Sequence, residues 1–309
     1  MFNKNRKSDP GPGGSPPRYP GTFLQAFREA AGSLGWKVRR SLGDAVECVD
    51  DQGEERTVGL ENLYRRVRRH GRETWPELIA DFLRKVFAGT DKDSDDLNAV
   101  ADRILVRLAR PFTGLPKDAQ VWSHPLGDTG LIACLVVDHA ETMRYVTEDM
   151  VTESGKPGEE WLERGLANLR ERTPEGCLEQ IDEDSGLLVC CTGDAYDAAR
   201  ALLLDDLLPE TRELGCFVGA PSRDQLLVVP VTGKGFVQVH LLHHLIEKAY
   251  KTAPYTISDK LFWVHEGTWR EFRIEFKDKT LSVWPPEEFI PVLERLKGMA
   301  QEEPGEPPG

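Results

Sequence analysis

Four side chains in one segment come closest to a chemical constellation: His240, His243, His244 and Glu247. If the segment is helical they fall within an arc of about 100°, because each residue advances the helix by about that angle. Imidazoles and a carboxylate gathered so could converge on a metal ion. Two features oppose it. The arc lies opposite the Leu242–Ala249 apolar stripe, where a solvated face belongs. A zinc-hydrolase helix also needs a glutamate directly after its first histidine, and Leu241 stands there. The expectation is a polar helix face and no metal site.

A second constellation is Asp91, Asp93, Asp95 and Asp102, spaced like positions 1, 3, 5 and 12 of a calcium loop. Asp96 replaces the glycine of the sharp turn, Asn98 the apolar eighth residue, and Asp102 the bidentate glutamate. These residues are expected to form an acidic linker that caps the next helix.

The dense basic patch is Arg65, Arg66, Arg68, Arg69 and Arg72, with Tyr64 beside it. Guanidinium groups so placed could grip a phosphate or an acidic partner. They could equally be the wet side of a helix whose dry side is Leu60, Leu63 and Val67. Arg65, Arg66 and Arg69 stand as candidate binding residues. Arg223 and Asp224 stand with them, because a hairpin tip presents side chains outward. Asp138, Asp149 and Asp194 share no fixed spacing, and turn or cap roles account for each. There is no phosphate-binding loop, no dinucleotide glycine pattern, no Gly-x-Ser-x-Gly elbow, and nothing beside Cys190 that would activate it. No catalytic residue and no cofactor are therefore expected.

The elements that would position these residues follow from pattern. Cys216–Ala220 and Gln225–Val229 are nearly continuous apolar runs joined by Pro221-Ser222-Arg223-Asp224, which reads as a buried hairpin. An apolar helix from about Phe236 to Tyr250 follows it. Upstream, Thr22–Ala31 is helical, Trp36–Arg40, Ala45–Val49 and Arg56–Val58 are short strands, and helices start near Leu60 and at Thr74. Thr74 with Glu77 forms a capping box. A helix is expected over Leu97–Ala109, strands over Leu131–Val137 and Arg144–Val146, and a helix opened by Pro157. Asp194 is expected to cap a helix running through Leu203. The fold class is α+β: residues 21–90 a small helix, three-strand, helix domain, and residues 97–299 a larger mixed α+β domain. Residues 1–20, rich in Pro and Gly, and the acidic tail 300–309 are expected to be disordered.

Composition limits the function. A net charge of −13 opposes phosphate binding, which makes nucleic acid an unfavoured partner, and it opposes anionic membranes too. No apolar run approaches the roughly 18 residues of a membrane span, and the N-terminus has no apolar signal core. The six cysteines lack both CxxC pairs and framework spacing, as in a reduced, cytoplasmic protein.

Several stretches in order resemble a family of bacterial proteins, the YtpQ-like domain-of-unknown-function family. They are Leu60-Glu61-Asn62-Leu63-Tyr64; Val137-Asp138 with Met143-Arg144-Tyr145-Val146-Thr147; Leu166-Ala167-Asn168-Leu169, with Gly165 where the family has Ala; Asp194-Ala195-Tyr196-Asp197-Ala198, with an Ala where Gly is common; and Pro221-Ser222-Arg223-Asp224 with Leu226, with a Ser where Asn is common. The likeness spans roughly residues 22–275. It implies an α+β architecture and a cytoplasmic setting, and it brings no activity, cofactor or substrate. The function expected is binding of another macromolecule, with a protein partner, in the manner of an adaptor. The alternatives are a hydrolase- or transferase-type enzyme with a dispersed site of Arg223, the histidine helix and carboxylates, and, more weakly, a nucleic-acid-associated protein using Arg65–Arg72.

Overall fold

The computed structural model describes residues 19–41, 45–50, 53, 55–88, 96–113, 120–139, 143–181, 186–233, 236, 238–253, 255–277 and 280–302. The fold is α+β, and the chain divides into two compact units, Met1–Thr90 and Asp91–Gly309. Asp91, Asp93 and Asp95 of the calcium-like pattern lie outside the described residues, as do residues 1–18 and 303–309. Two edges differ from expectation. Tyr19 is buried against Phe23 and Tyr64, so its ring belongs to the core, and the last helix continues through Glu302.

The first unit contains α1 (Gly21–Ser33), β1 (Lys37–Ser41), β2 (Ala45–Val49), β3 (Glu55–Gly59), α2 (Glu61–Val67) and α3 (Trp75–Ala88). The three strands form an antiparallel meander in the order β1-β2-β3. Phe23, Phe27, Leu60, Leu63, Val67 and Ile79 meet in its core. Helical spacing puts Leu63 and Val67 on one side of α2, and that burial turns Arg66, Arg68 and Arg69 to solvent. Thr74 does not cap α3. It closes a 3₁₀ turn over Arg72–Thr74, and its hydroxyl donates back to the Gly71 carbonyl at 2.8 Å.

The second unit opens on a strand where the sequence pattern predicts a helix. Leu97, Val100, Ile104 and Leu108 recur at helical spacing, yet Ile104–Ala109 is a strand, β4. In its run Ile104-Leu105-Val106 the outer two residues are β-branched and all three are buried, on both faces, which suits an extended segment between layers. β4 pairs with β6 (Ile132–Asp138), which is flanked by β5 (Ser123–Pro125) and β7 (Met143–Tyr145). Next come α4 (Glu148–Glu153) and α5 (Gly158–Arg172). Gly165 lets α5 lie close on this sheet, since a Cβ there would stand 2.9 Å from Val106 Cγ2.

The remaining elements are β8 (Glu179–Gln180), β9 (Leu188–Cys190), α6 (Leu204–Leu207), β10 (Cys216–Ser222), β11 (Gln225–Pro230), α7 (Val239–Thr252), β12 (Leu261–His265), β13 (Thr268–Glu271), β14 (Arg273–Lys277), β15 (Thr280–Trp284) and α8 (Ile290–Glu302). An antiparallel sheet runs β13-β12-β10-β11-β9-β8. Strand alternation divides β10 between two cores. Phe217 packs with Leu242 and Ile246 of α7 and Phe289 before α8, whereas Cys216, Val218 and Ala220 join the core shared with β4 and β6. The hairpin tip is shorter than expected. β10 continues through Ser222, leaving Arg223-Asp224 as the turn, because the segment 255–258 supplies its partners: Ile257 N donates to Pro221 O and Ser258 N to Ala220 O, both at 3.0 Å. Among the described residues no helix is long and apolar enough to cross a membrane.

Candidate functional site

The site is built on one face of the β4–β6–β7 sheet. In register, Arg107 of β4 lies opposite Cys134 of β6, Leu105 opposite Val136, and Val136 opposite Tyr145 of β7. Residues at alternate positions share a face. Ile104, Val106 and Leu108 therefore enter the main core, while Leu105, Arg107, Cys134, Val136 and Tyr145 line the other side.

One end of that face is closed by an ionic network that fixes the segment after β9. Tyr196 covers Leu105 and Val136, and its hydroxyl donates to Asp138 Oδ1 at 2.7 Å. Asp138 also pairs with Arg172 of α5, whose guanidinium lies over the Tyr196 ring and reaches Asp194 at 3.5 Å. Arg200 is fully buried. It bonds Asp194 Oδ2 at 2.6 Å, Asp197 Oδ1 at 3.0 Å and Thr173 Oγ1 at 3.2 Å. Asp197, also fully buried, accepts from Thr192 N, Thr192 Oγ1, Gly193 N and the Cys190 thiol.

This network replaces the helix cap expected at Asp194. Its Oδ1 accepts from Tyr196 N instead, in an Asx turn, Ala195 takes a φ of 71°, and a 3₁₀ helix over Ala198–Leu203 begins after Asp197. Burial raises the Asp194 carboxyl, but the bonds from Arg200 and the Tyr196 amide outweigh it and hold the group below its ordinary range. Burial and the bond to Asp138 push the Tyr196 phenol well up. The hydrogen bond with Cys190 draws Cys177 below the usual thiol range.

The rest of the face is different in kind, although it adjoins the network where Met143 stands opposite Asp138. Arg107 is 8% exposed, and its Nη1 meets only the Met143 sulfur, a weak acceptor, at 2.7 Å. Among the described residues it has no carboxylate within ion-pair distance. None of its nitrogens is sealed from solvent without a partner; among the described residues that condition belongs to His139 Nε2. Tyr145 lies on the same face, two positions along β7 from Met143, and Phe112, 37% exposed, meets the Tyr145 ring edge-on at 4.9 Å. Burial raises the Tyr145 phenol, with Arg107 pulling the other way, so the hydroxyl stays protonated and able to donate near neutral pH. Burial pushes the Cys134 thiol up to about 12, which leaves it inert.

Arg223 and Asp224 at the hairpin tip pair with each other at 3.0 Å, and the Arg223 guanidinium lies over the Tyr255 ring at 3.4 Å. The Arg223 carbonyl accepts from Ala198 N, which ties the tip to the start of the 3₁₀ helix. Both side chains are half-buried and do outward-facing turn duty only in part. The other candidates stay apart from this face within their own surroundings. Arg66 and Arg69 are exposed on α2 and just after it, in the first unit; Arg65 shares α2, and its side chain lies outside the description. His240 and His244 are exposed and His243 and Glu247 half-buried on α7. Among the described residues no group of three or more His, Cys, Asp or Glu is placed to hold a metal. An open pocket of about 340 Å³ lies elsewhere on the second unit, lined by Arg110, Thr129, Tyr250, Ser258, Asp259 and Lys260, and includes neither Arg223, His240 nor Asp138.

Arg107 and Tyr145 were not legible as site residues. On a helix over Leu97–Ala109, Arg107 is an ordinary surface arginine; only on a strand buried on both faces does it become a charge in need of a partner. The usable signal was Ile104-Leu105-Val106, a run that favours a strand. Comparison with protein-family models, curated proteins and solved structures gave no match.

Proposed function

We infer that the chain is a cytoplasmic, non-enzymatic protein that binds another macromolecule, a protein partner, in the manner of an adaptor. The observation that carries this is the division of the ionisable groups. Those in greatest number, Asp138, Arg172, Asp194, Asp197 and Arg200, satisfy one another and fasten a loop to the sheet. What remains open is an arginine, a phenol and an exposed ring, a set that recognises rather than transforms. Among the described residues no general base or nucleophile is paired there, and the Cys134 thiol is buried and held in its neutral form. The ordered likeness to the YtpQ-like bacterial family implies an α+β architecture and a cytoplasmic setting, and membership of that family is part of the proposal. The free state of all six cysteines is consistent with a cytoplasmic setting.

Cross-linking in native lysate, comparing wild type with Arg223→Glu and with the triple variant Arg66→Glu, Arg69→Glu, Arg72→Glu, tests it. The reading expects one protein recovered by wild type and lost with Arg223→Glu, which reverses a charge that acts on Tyr145 of that face. Equal recovery with all three proteins would place the contact elsewhere, and turnover of a small substrate by purified protein would replace the reading with an enzymatic one.

A further inference from the structure

We propose that Arg107 and Tyr145 form a binding site for a single carboxylate, with Phe112 and Met143 receiving the apolar group that carries it. This rests on the binding reading above and names the chemistry the partner presents. The first support is Arg107 itself. A guanidinium carries five donors in a fixed fork matched to a carboxylate, and here one of them meets a thioether while no carboxylate of the described chain is in reach. A charge buried to that degree is expensive unless an anion joins it. None of its nitrogens is both sealed from solvent and without a partner, which leaves an anion an approach.

The second support is independent of Arg107. The Tyr145 hydroxyl has no hydrogen-bond partner among the described residues and is not sealed, although its ring is packed in the sheet face. The two donors thus stand on one face of the sheet, on the strands either side of β6, and an exposed aromatic ring lies 4.9 Å from Tyr145.

Charge selects a monoanion. In the adjoining network two arginines, Arg172 and Arg200, face three carboxylates, Asp138, Asp194 and Asp197. Arg223 is neutralised by Asp224. Arg107 offers one positive charge, which one carboxylate pairs, whereas the second charge of a phosphate dianion would face the carboxylate excess of that network. The carboxylate can belong to a free organic acid or to a peptide, as a side chain or a chain terminus.

The test is titration of the full-length protein, at constant ionic strength, with benzoate, with phosphate, and with a short peptide ending in a free carboxylate or in an amide, followed by calorimetry and by tyrosine and arginine NMR resonances. Saturable binding of benzoate and of the free-acid peptide is expected, at least tenfold weaker for phosphate and for the amide. Arg107→Met is expected to abolish it, Arg107→Lys to weaken it at least tenfold by losing the fork, and Tyr145→Phe to weaken it severalfold, with near-ultraviolet circular dichroism showing each variant folded. No saturable binding of any carboxylate, or binding unchanged in both Arg107 variants, overturns the site. Binding of benzoate without either peptide supports the site and removes the protein-partner reading; recovery of a protein partner without any carboxylate binding does the reverse.

Discussion

Asp197→Ala tests the claim that the ionic network is scaffold. The carboxylate accepts five hydrogen bonds, from Cys190, Thr192 twice, Gly193 and Arg200, and both Asp197 and Arg200 are fully buried. Removing one partner of a buried pair costs about 3–5 kcal/mol, because the other charge is left without compensation. Two backbone amides also lose their acceptor, at about 1–3 kcal/mol each if nothing replaces it. These terms overlap, since Asp194 still holds Arg200 at 2.6 Å. The expected loss is about 4 kcal/mol, or a fall in Tm of about 8–16 °C for a unit of this size. Asp197→Asn keeps the shape and one acceptor, and is expected to lose roughly half as much. Differential scanning calorimetry with urea titration measures both. A loss under about 1 kcal/mol for Asp197→Ala would mean that the loop after β9 does not depend on this carboxylate, and the scaffold argument would fail.

Other outcomes follow from single contacts. The folded-state pKa of Asp194 is depressed below the ordinary 3.8, so its contribution is present above that value and is lost as pH falls through the folded pKa. Stability of the wild type is expected to drop on acidification below about pH 4, and Asp194→Asn to flatten that limb in pH-dependent urea melts. Gly219→Ala is expected to destabilise by about 1–3 kcal/mol, because its Cβ would fall 2.3 Å from Ile246 Cγ1 and force α7 off β10; an unchanged urea midpoint would show that α7 shifts freely. Glu at Arg66, Arg69 and Arg72 is expected to move Tm by less than about 1 kcal/mol equivalent, as befits exposed positions.

What was legible in the chain follows from burial. The hairpin β10–β11 and helix α7 were readable because their apolar residues run continuously between turn residues or lie on one helical face. Ile104–Ala109 was not, because Leu97, Val100, Ile104 and Leu108 satisfy a helical period by coincidence while tertiary pairing with β6 decides for a strand. Asp194, Asp197 and Arg200 stand close in sequence, but nothing local reveals that Arg200 is buried, or that Thr173 and Asp194 complete its bonds. Arg107 and its contact Met143 are separated by 36 positions, so their meeting exists only once the β4–β6–β7 order is known.

On the proposed reading, Arg107 is kept inside the protein for what it binds and not for what it holds together. The most direct measurement is the unfolding free energy of ligand-free Arg107→Met against wild type. A methionine preserves the buried stem and removes a charge that lacks an anion in the described chain, so the variant is expected to be as stable as wild type or more stable. A loss greater than about 2 kcal/mol would show that the guanidinium supports the fold, and would contradict the account.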